Sequence, residues 1–118
     1  MLELLQRLLA FKYSCKLNHW KTDSYAKHLL FDRLQEDIDE FVDKIAEEYF
    51  MTLGKKKDLE KTILETKYID KDLVKLSKDI NKYIEKLAKD TKLGQGILSL
   101  LGNIRESFDG KLALLTLN

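Results

Sequence analysis

The chain has 118 residues, 44% of them hydrophobic and 35% charged, with no proline, one cysteine and a formal net charge of +1. That length fits one domain, residues 1–118, with a core large enough to need no disulfide. The lone Cys15 excludes an internal disulfide and suits a reducing compartment, and the near-neutral charge gives no global field that would draw the chain to nucleic acid or to a membrane.

High charge without proline suits long amphipathic helices. The opening stretch is apolar but carries Glu3, Gln6 and Arg7. It has neither a basic leader region nor a small-residue cleavage site, and it falls short of the ~20 apolar residues that cross a bilayer. This predicts a cytoplasmic protein. A first helix is expected over residues 2–21, where Leu4, Leu5, Leu8, Leu9, Phe11 and Cys15 recur at helical spacing. Cys15 reads as a small core residue. Thr22, Asp23 and Ser24 break the helix, and Asp23 or Ser24 can cap the next one by accepting a free backbone N–H.

The second helix is expected over residues 25–53, with Phe31, Leu34, Ile38, Phe41, Val42, Ile45 and Tyr49 inward and Gly54 just past its end. Residues 55–68 form a connector with a short helix around residues 59–66, and the lysines at 55, 56 and 57 read as a solvated loop. A third helix over residues 70–90 carries Leu73, Leu76, Ile80, Tyr83 and Leu87 at three- and four-residue steps. A fourth over residues 95–117 turns Ile97, Leu101, Ile104, Phe108 and Leu115 inward. Gly102 and Gly110 lie inside it at a cost of about 1 kcal/mol each relative to alanine, which close approach of a neighbouring helix would offset. Two short connections and one long one predict an all-α, up-down four-helix bundle with a crossover between the second and third helices.

The two histidines, His19 and His28, lie beside carboxylates. At about 100° per residue, and with His28 at zero, Asp39 falls near 20°, Asp32 near 40°, Asp43 near 60° and Glu47 near 100°. The apolar stripe of the same helix occupies roughly 200–340°. The acidic column therefore borders the core rather than entering it, where a second subunit can cover it. Stacked carboxylates repel one another unless a cation intervenes, and imidazole with carboxylate suits iron, zinc or manganese. The opposing reading is an ordinary solvated acidic face, since Glu36, Asp37 and Glu40 make the whole helix acidic. Likewise His19-Trp20 reads by itself as a packed aromatic beside a hydrogen-bonded neighbour.

Taken together, His19-Trp20, the run Tyr25-Ala26-Lys27-His28-Leu29-Leu30-Phe31-Asp32, and Asp43-Lys44-Ile45-Ala46-Glu47 resemble the signature of the Dps (mini-ferritin) family in the ferritin-like superfamily. The resemblance covers about 30 residues and is topological beyond them. It implies a ferritin-like bundle and a ferroxidase site shared between two-fold-related subunits. By resemblance His19, His28 and Asp32 belong to one half-site and Asp43 and Glu47 to the other, with Trp20 and Asp39 in supporting or packing positions. The metal so implied is iron, and the assembly is a homo-oligomer, at least a dimer, with a cage as the family's larger form. The interval from His19 to His28 is three residues shorter than the family pattern and lacks its glycine-containing loop, so the turn is tighter and displaces His19 from the family position. Glu48 stands where the family commonly has arginine, and no basic tail precedes the first helix. The ferritin Glu-x-x-His pair is absent, because Lys16 and Tyr25 occupy the positions three before each histidine, which argues against a di-iron site inside one bundle. The short, lysine-rich chain also looks like small bacteriophage-encoded relatives.

Two functions compete. One is a Dps-like protein that binds and oxidises Fe(II) between subunits. The other is a non-catalytic helical protein on the same scaffold that binds a host protein or sequesters a small ligand, since fold alone does not fix function. Nucleic-acid binding through the lysines is disfavoured by the charge balance, and no glycine-rich phosphate loop or Ser-His-Asp set is present.

Overall fold

A computed structural model describes residues 1–61 and 64–117, and every described regular element is a helix. The elements are α1 (Leu2–Lys21), α2 (Tyr25–Ile45) continued by a π-helical turn (Ala46–Met51), α3 (Lys56–Leu59), α4 (Leu73–Leu87) and α5 (Gln95–Leu115). Short 3₁₀ turns at Thr66–Tyr68 and Thr91–Leu93 precede α4 and α5. None of these helices is long and apolar enough to cross a membrane.

The centre of the fold is α1, which packs along α2 on one side and along α4 on the other. Leu4, Leu8, Phe11 and Cys15 are fully buried. Phe11 meets Phe108 of α5 edge to face at 5.0 Å, a favoured aromatic geometry. Helix α4 packs on α5, whereas α2 and α5 touch only sparsely. The bundle is closed along three seams and open along the fourth.

Polar groups fix how the connector meets α1. The buried Ser14 hydroxyl donates to Ala10 O at 2.7 Å and accepts the Asp70 N–H at 3.2 Å. Asn18 Nδ2 donates to Ser14 O and to Lys71 O. These bonds hold residues 70–71 against α1, and α4 starts only after them. Asp72 caps that start by accepting the Lys75 N–H at 3.1 Å.

Several expectations need correction. The α-helical part of the second helix stops at Ile45, and Thr52 N–H reaches back five residues to Glu47 O at 3.2 Å. This wider turn also explains why Phe50 is buried: at α-helical spacing it would share the exposed flank of Asp43, within about 20°. The connector's helical turn lies at Lys56–Leu59 rather than over residues 59–66, so Lys56 and Lys57 are helical, though exposed as expected. Residues 62 and 63 of the expected short helix lie outside the described residues. The third helix is shorter at both ends, at Leu73–Leu87, and the fourth ends at Leu115. Phe41, Val42 and Tyr49 are half-buried, and so are Tyr83 and Leu87, whereas Ile84 and Leu100 are core. Among the described residues no helix approaches Gly102 or Gly110, for a methyl added at either would meet nothing within 4 Å. Their cost within α5 is therefore not offset by packing.

Candidate metal site

The site begins with a tight reversal between α1 and α2. Thr22 leaves α1 in an extended conformation. Ser24 N–H donates to Thr22 Oγ1 at 3.2 Å, and Ser24 Oγ accepts the Lys27 N–H at 3.2 Å. An N-cap of this kind is worth about 1 kcal/mol. The reversal sets His19, in the last turn of α1, directly against His28, in the first turn of α2. Their rings stack with centroids 3.6 Å apart and planes at 29°. The short interval therefore does not carry His19 away from the cluster.

Each imidazole is held by the other residue's main chain. His19 Nδ1 lies 3.1 Å from His28 O, and His28 Nδ1 lies 3.3 Å from His19 O. A carbonyl oxygen only accepts, so Nδ1 is the protonated nitrogen on both rings. In the neutral rings Nε2 then carries the lone pair, which is the ligating form. Asp32 Oδ1 lies 3.3 Å from His19 Nδ1, a carboxylate that orients the imidazole as second partners of metal-bound histidines do. One donor atom from each of His19, His28 and Asp32 lies within 4.8 Å of the other two. Two ligands on one ion at about 2.1 Å each are at most about 4.2 Å apart, so the set is slightly wider than a coordinated one, and Asp32 meets His19 at Nδ1, the nitrogen that also faces His28 O. His19 is half-buried while the Asp32 side chain is 52% exposed, so a metal would have a sheltered side and an open side.

The other predicted ligands lie elsewhere. Asp43 and Glu47 are exposed further along α2, and Asp43 is about 16 Å from Asp32 at the helical rise. They do not join the histidines within one chain. Asp39 is not free in the column, because Lys12 Nζ of α1 pairs with its Oδ1 at 2.6 Å. Trp20 is not packed in the core: it is 61% exposed, with the Lys16 ammonium 5.8 Å from its ring centre.

Residues 19–114 match the profile of a protein family described only as a family of unknown function, DUF5856. The chain belongs to the DUF5856 family. No curated protein and no solved structure matches it. The matched stretch of this DUF5856 chain contains His19, His28, Asp32, Asp43 and Glu47.

One buried group of the DUF5856 chain escaped the sequence reading. Lys111 of α5 is 5% exposed and pairs with Asp37 Oδ2 of α2 at 3.0 Å, and its ammonium also donates to Ser107 Oγ. Its position was legible, because it falls within about 20° of the core residue Ile104 on the helix; a lysine there signals a special environment. Cys15 sits under the influence of that ammonium. Burial pushes its thiol up to about 12, against a smaller downward pull from Lys111. It is an inert core thiol.

Proposed function

We propose that this DUF5856 chain is a metal-binding protein of ferritin-like architecture that takes up Fe(II) at a site shared by two copies of the chain and oxidises it. The observation that carries this reading is the grouping of one donor atom each from His19, His28 and Asp32 within 4.8 Å, together with the reciprocal pairing of the two histidines, whose Nδ1–H···O=C tautomer leaves the lone pair on Nε2. Stacking alone would not require that tautomer. Imidazole with carboxylate suits iron, and zinc or manganese as well.

The distribution of the remaining carboxylates supports a two-fold partner. His28 with Glu47, and Asp32 with Asp43, share one midpoint on α2, between Asp37 and Ile38. If two α2 helices lie antiparallel about an axis at that level, Glu47 of one copy falls opposite His28 of the other, and Asp43 opposite Asp32. The resemblance to mini-ferritins predicts the same division of ligands. In such a dimer His19 and His28 bind through neutral nitrogens. Asp32 and the second copy's carboxylates balance the ion's charge, and α1 with its partner helix shields the site from water. Bound Fe(II) would supply one electron per ion to dioxygen or peroxide.

The test is anaerobic Fe(II) titration followed by oxidant, with native mass spectrometry for assembly. Wild type is expected to bind iron as a dimer or larger oligomer, with loss of at least about tenfold in affinity in His28→Ala and in Asp43→Ala, as for loss of any ligand or its close support. Unchanged iron binding in both variants sinks the proposal. The competing reading, a non-catalytic helical protein that holds a small ligand, draws on the open seam between α2 and α5.

A further inference from the structure

The seam between α2 and α5 lies on the side of α2 away from the histidines. Leu30, Arg33 and Asp37 point there, at about 140–200° from His28. Between the helices is a hollow of about 520 Å³, floored by Leu30, Leu34 and Leu114 and ending at Lys111 and Arg33. It adjoins a second hollow of about 440 Å³ that shares Leu30 and Leu114 and runs on to Leu117. Leu114 and Leu117 are 49% and 67% exposed, an apolar surface that no described element covers. Gly110 widens it, since no atom lies within 4 Å of where its Cβ would be. These volumes fall in the range of small-molecule sites, which pair an apolar lining with a few placed polar groups.

The polar groups of the seam are net positive: Arg33, Asp37, Ser107 and Lys111 line the first hollow, and Ser24 and Lys27 line the second. Lys111 is a buried ammonium with three N–H donors, and among the described residues its polar partners are Ser107 Oγ and Asp37 Oδ2. One donor is left over. Its ammonium lies over the rings of Phe41 and Phe108, 5.5 and 5.7 Å from their centres, so the head group cannot retreat into bulk water without leaving those rings. Arg33 lines the same hollow, is exposed, and makes no ion pair among the described residues. Asp37 is 52% exposed and offsets only one of the two cations. From Asp37 to Ala26 the floor extends about 16 Å along the helix.

We infer that this seam binds a single-chain anionic amphiphile of the long-chain carboxylate type. Its carboxylate engages Arg33 and the spare Lys111 N–H, and its chain lies along Leu30 and Leu114 toward Leu117. A net positive lining over a leucine floor matches an anionic amphiphile better than a uniformly polar partner. The inference does not depend on the metal reading, which concerns the opposite flank of α2.

Calorimetric titration of the full chain with dodecanoate, kept below its micelle concentration, tests it. Dodecanoate is expected to bind one per chain, at least about tenfold tighter than dodecyltrimethylammonium and than octanoate. Arg33→Glu and Leu114→Glu, both at exposed positions, are expected to weaken it about tenfold or more while far-UV dichroism stays unchanged. Lys111→Met should do the same, and if it fails to fold the two exposed variants still decide. Equal binding of the cationic amphiphile, or full-strength binding by Leu114→Glu, overturns the inference. So does a dimer that Leu114→Glu dissolves while dodecanoate has no effect, because a second copy is then the occupant. Capture of an acidic amphipathic peptide without dodecanoate binding overturns it as well.

Discussion

The two flanks of α2 differ in how they are finished. Toward α1 the helix is closed by a three-residue turn, by the stacked histidines and by the Lys12–Asp39 ion pair. Toward α5 it is bridged by Lys111 alone among the ion pairs of the described residues, over an uncovered apolar floor. Both flanks carry polar groups next to the core, yet only on the first are the ring nitrogens facing the fold all given partners. The proposed metal site uses the first flank, where the Nδ1 atoms of both rings are held by carbonyl oxygens. A flank that keeps a spare donor beside bare leucine is ready to hold something amphipathic.

The contrast can be broken most severely at its closed side. Phe11→Ala removes the buried ring that joins α1 to Phe108 and is expected to cost about 3–5 kcal/mol, as such core truncations do. Leu114→Ala on the open seam is expected to stay within about 1 kcal/mol, because half of that side chain is already in water. Urea unfolding of both variants checks the pair. Similar losses would mean that the seam beside α5 is packed in solution.

A smaller effect sharpens the role of the turn. Ser24→Ala deletes the oxygen that accepts the Lys27 N–H and is expected to lower stability by about 1 kcal/mol. The same change loosens the reversal that faces His19 to His28, so zinc affinity should fall by more than the stability loss alone explains. Calorimetric zinc titration well below the melting temperature separates the two. A variant that melts earlier but binds zinc as wild type does would detach the turn from the site.

Much of this was legible in the chain itself. The helix pattern located α1 to the residue, because leucine spacing and the Thr22-Asp23-Ser24 break are strong local signals. The placing of His28 and Asp32 on one flank of α2 was legible for the same reason. The resemblance grouped His19, His28 and Asp32, but the close stacking of the two rings was not legible, because it depends on how tightly a turn closes, and three residues of sequence do not encode the resulting ring separation. The π turn was hidden too: periodicity assumes one helical pitch, and at that pitch Phe50 would fall on the flank of Asp43 rather than in the core. Lys111 was missed through reading residue type before position. Gly102 and Gly110 suggested a close helix crossing that does not occur, since small residues permit approach without requiring it.

The smallest expected effect lies on the far side of α1, where residues 70–72 dock. The Asp70 carboxylate accepts the Asp72 N–H at 2.9 Å and pairs with Lys75. The backbone bond first, and the lysine second, hold its pKa below the ordinary 3.8. A carboxylate depressed by folding stabilises the native state once the pH is above its unfolded value, and that contribution disappears as the pH falls through the lower, folded value. Since the Asp70 side chain is partly exposed and its lysine partner is exposed, screening keeps the effect small. Wild type should therefore lose slightly more stability than Asp70→Asn between pH 5 and about pH 2, in the range where carboxylates titrate, and the two curves should run parallel above it. Chemical denaturation across that range reads the difference. Coincident slopes would show that the docked segment is held by Ser14 and Asn18 with no help from the Asp70 charge, and the anchoring of α1 would then be a matter of neutral hydrogen bonds on this side and of the histidine turn on the other.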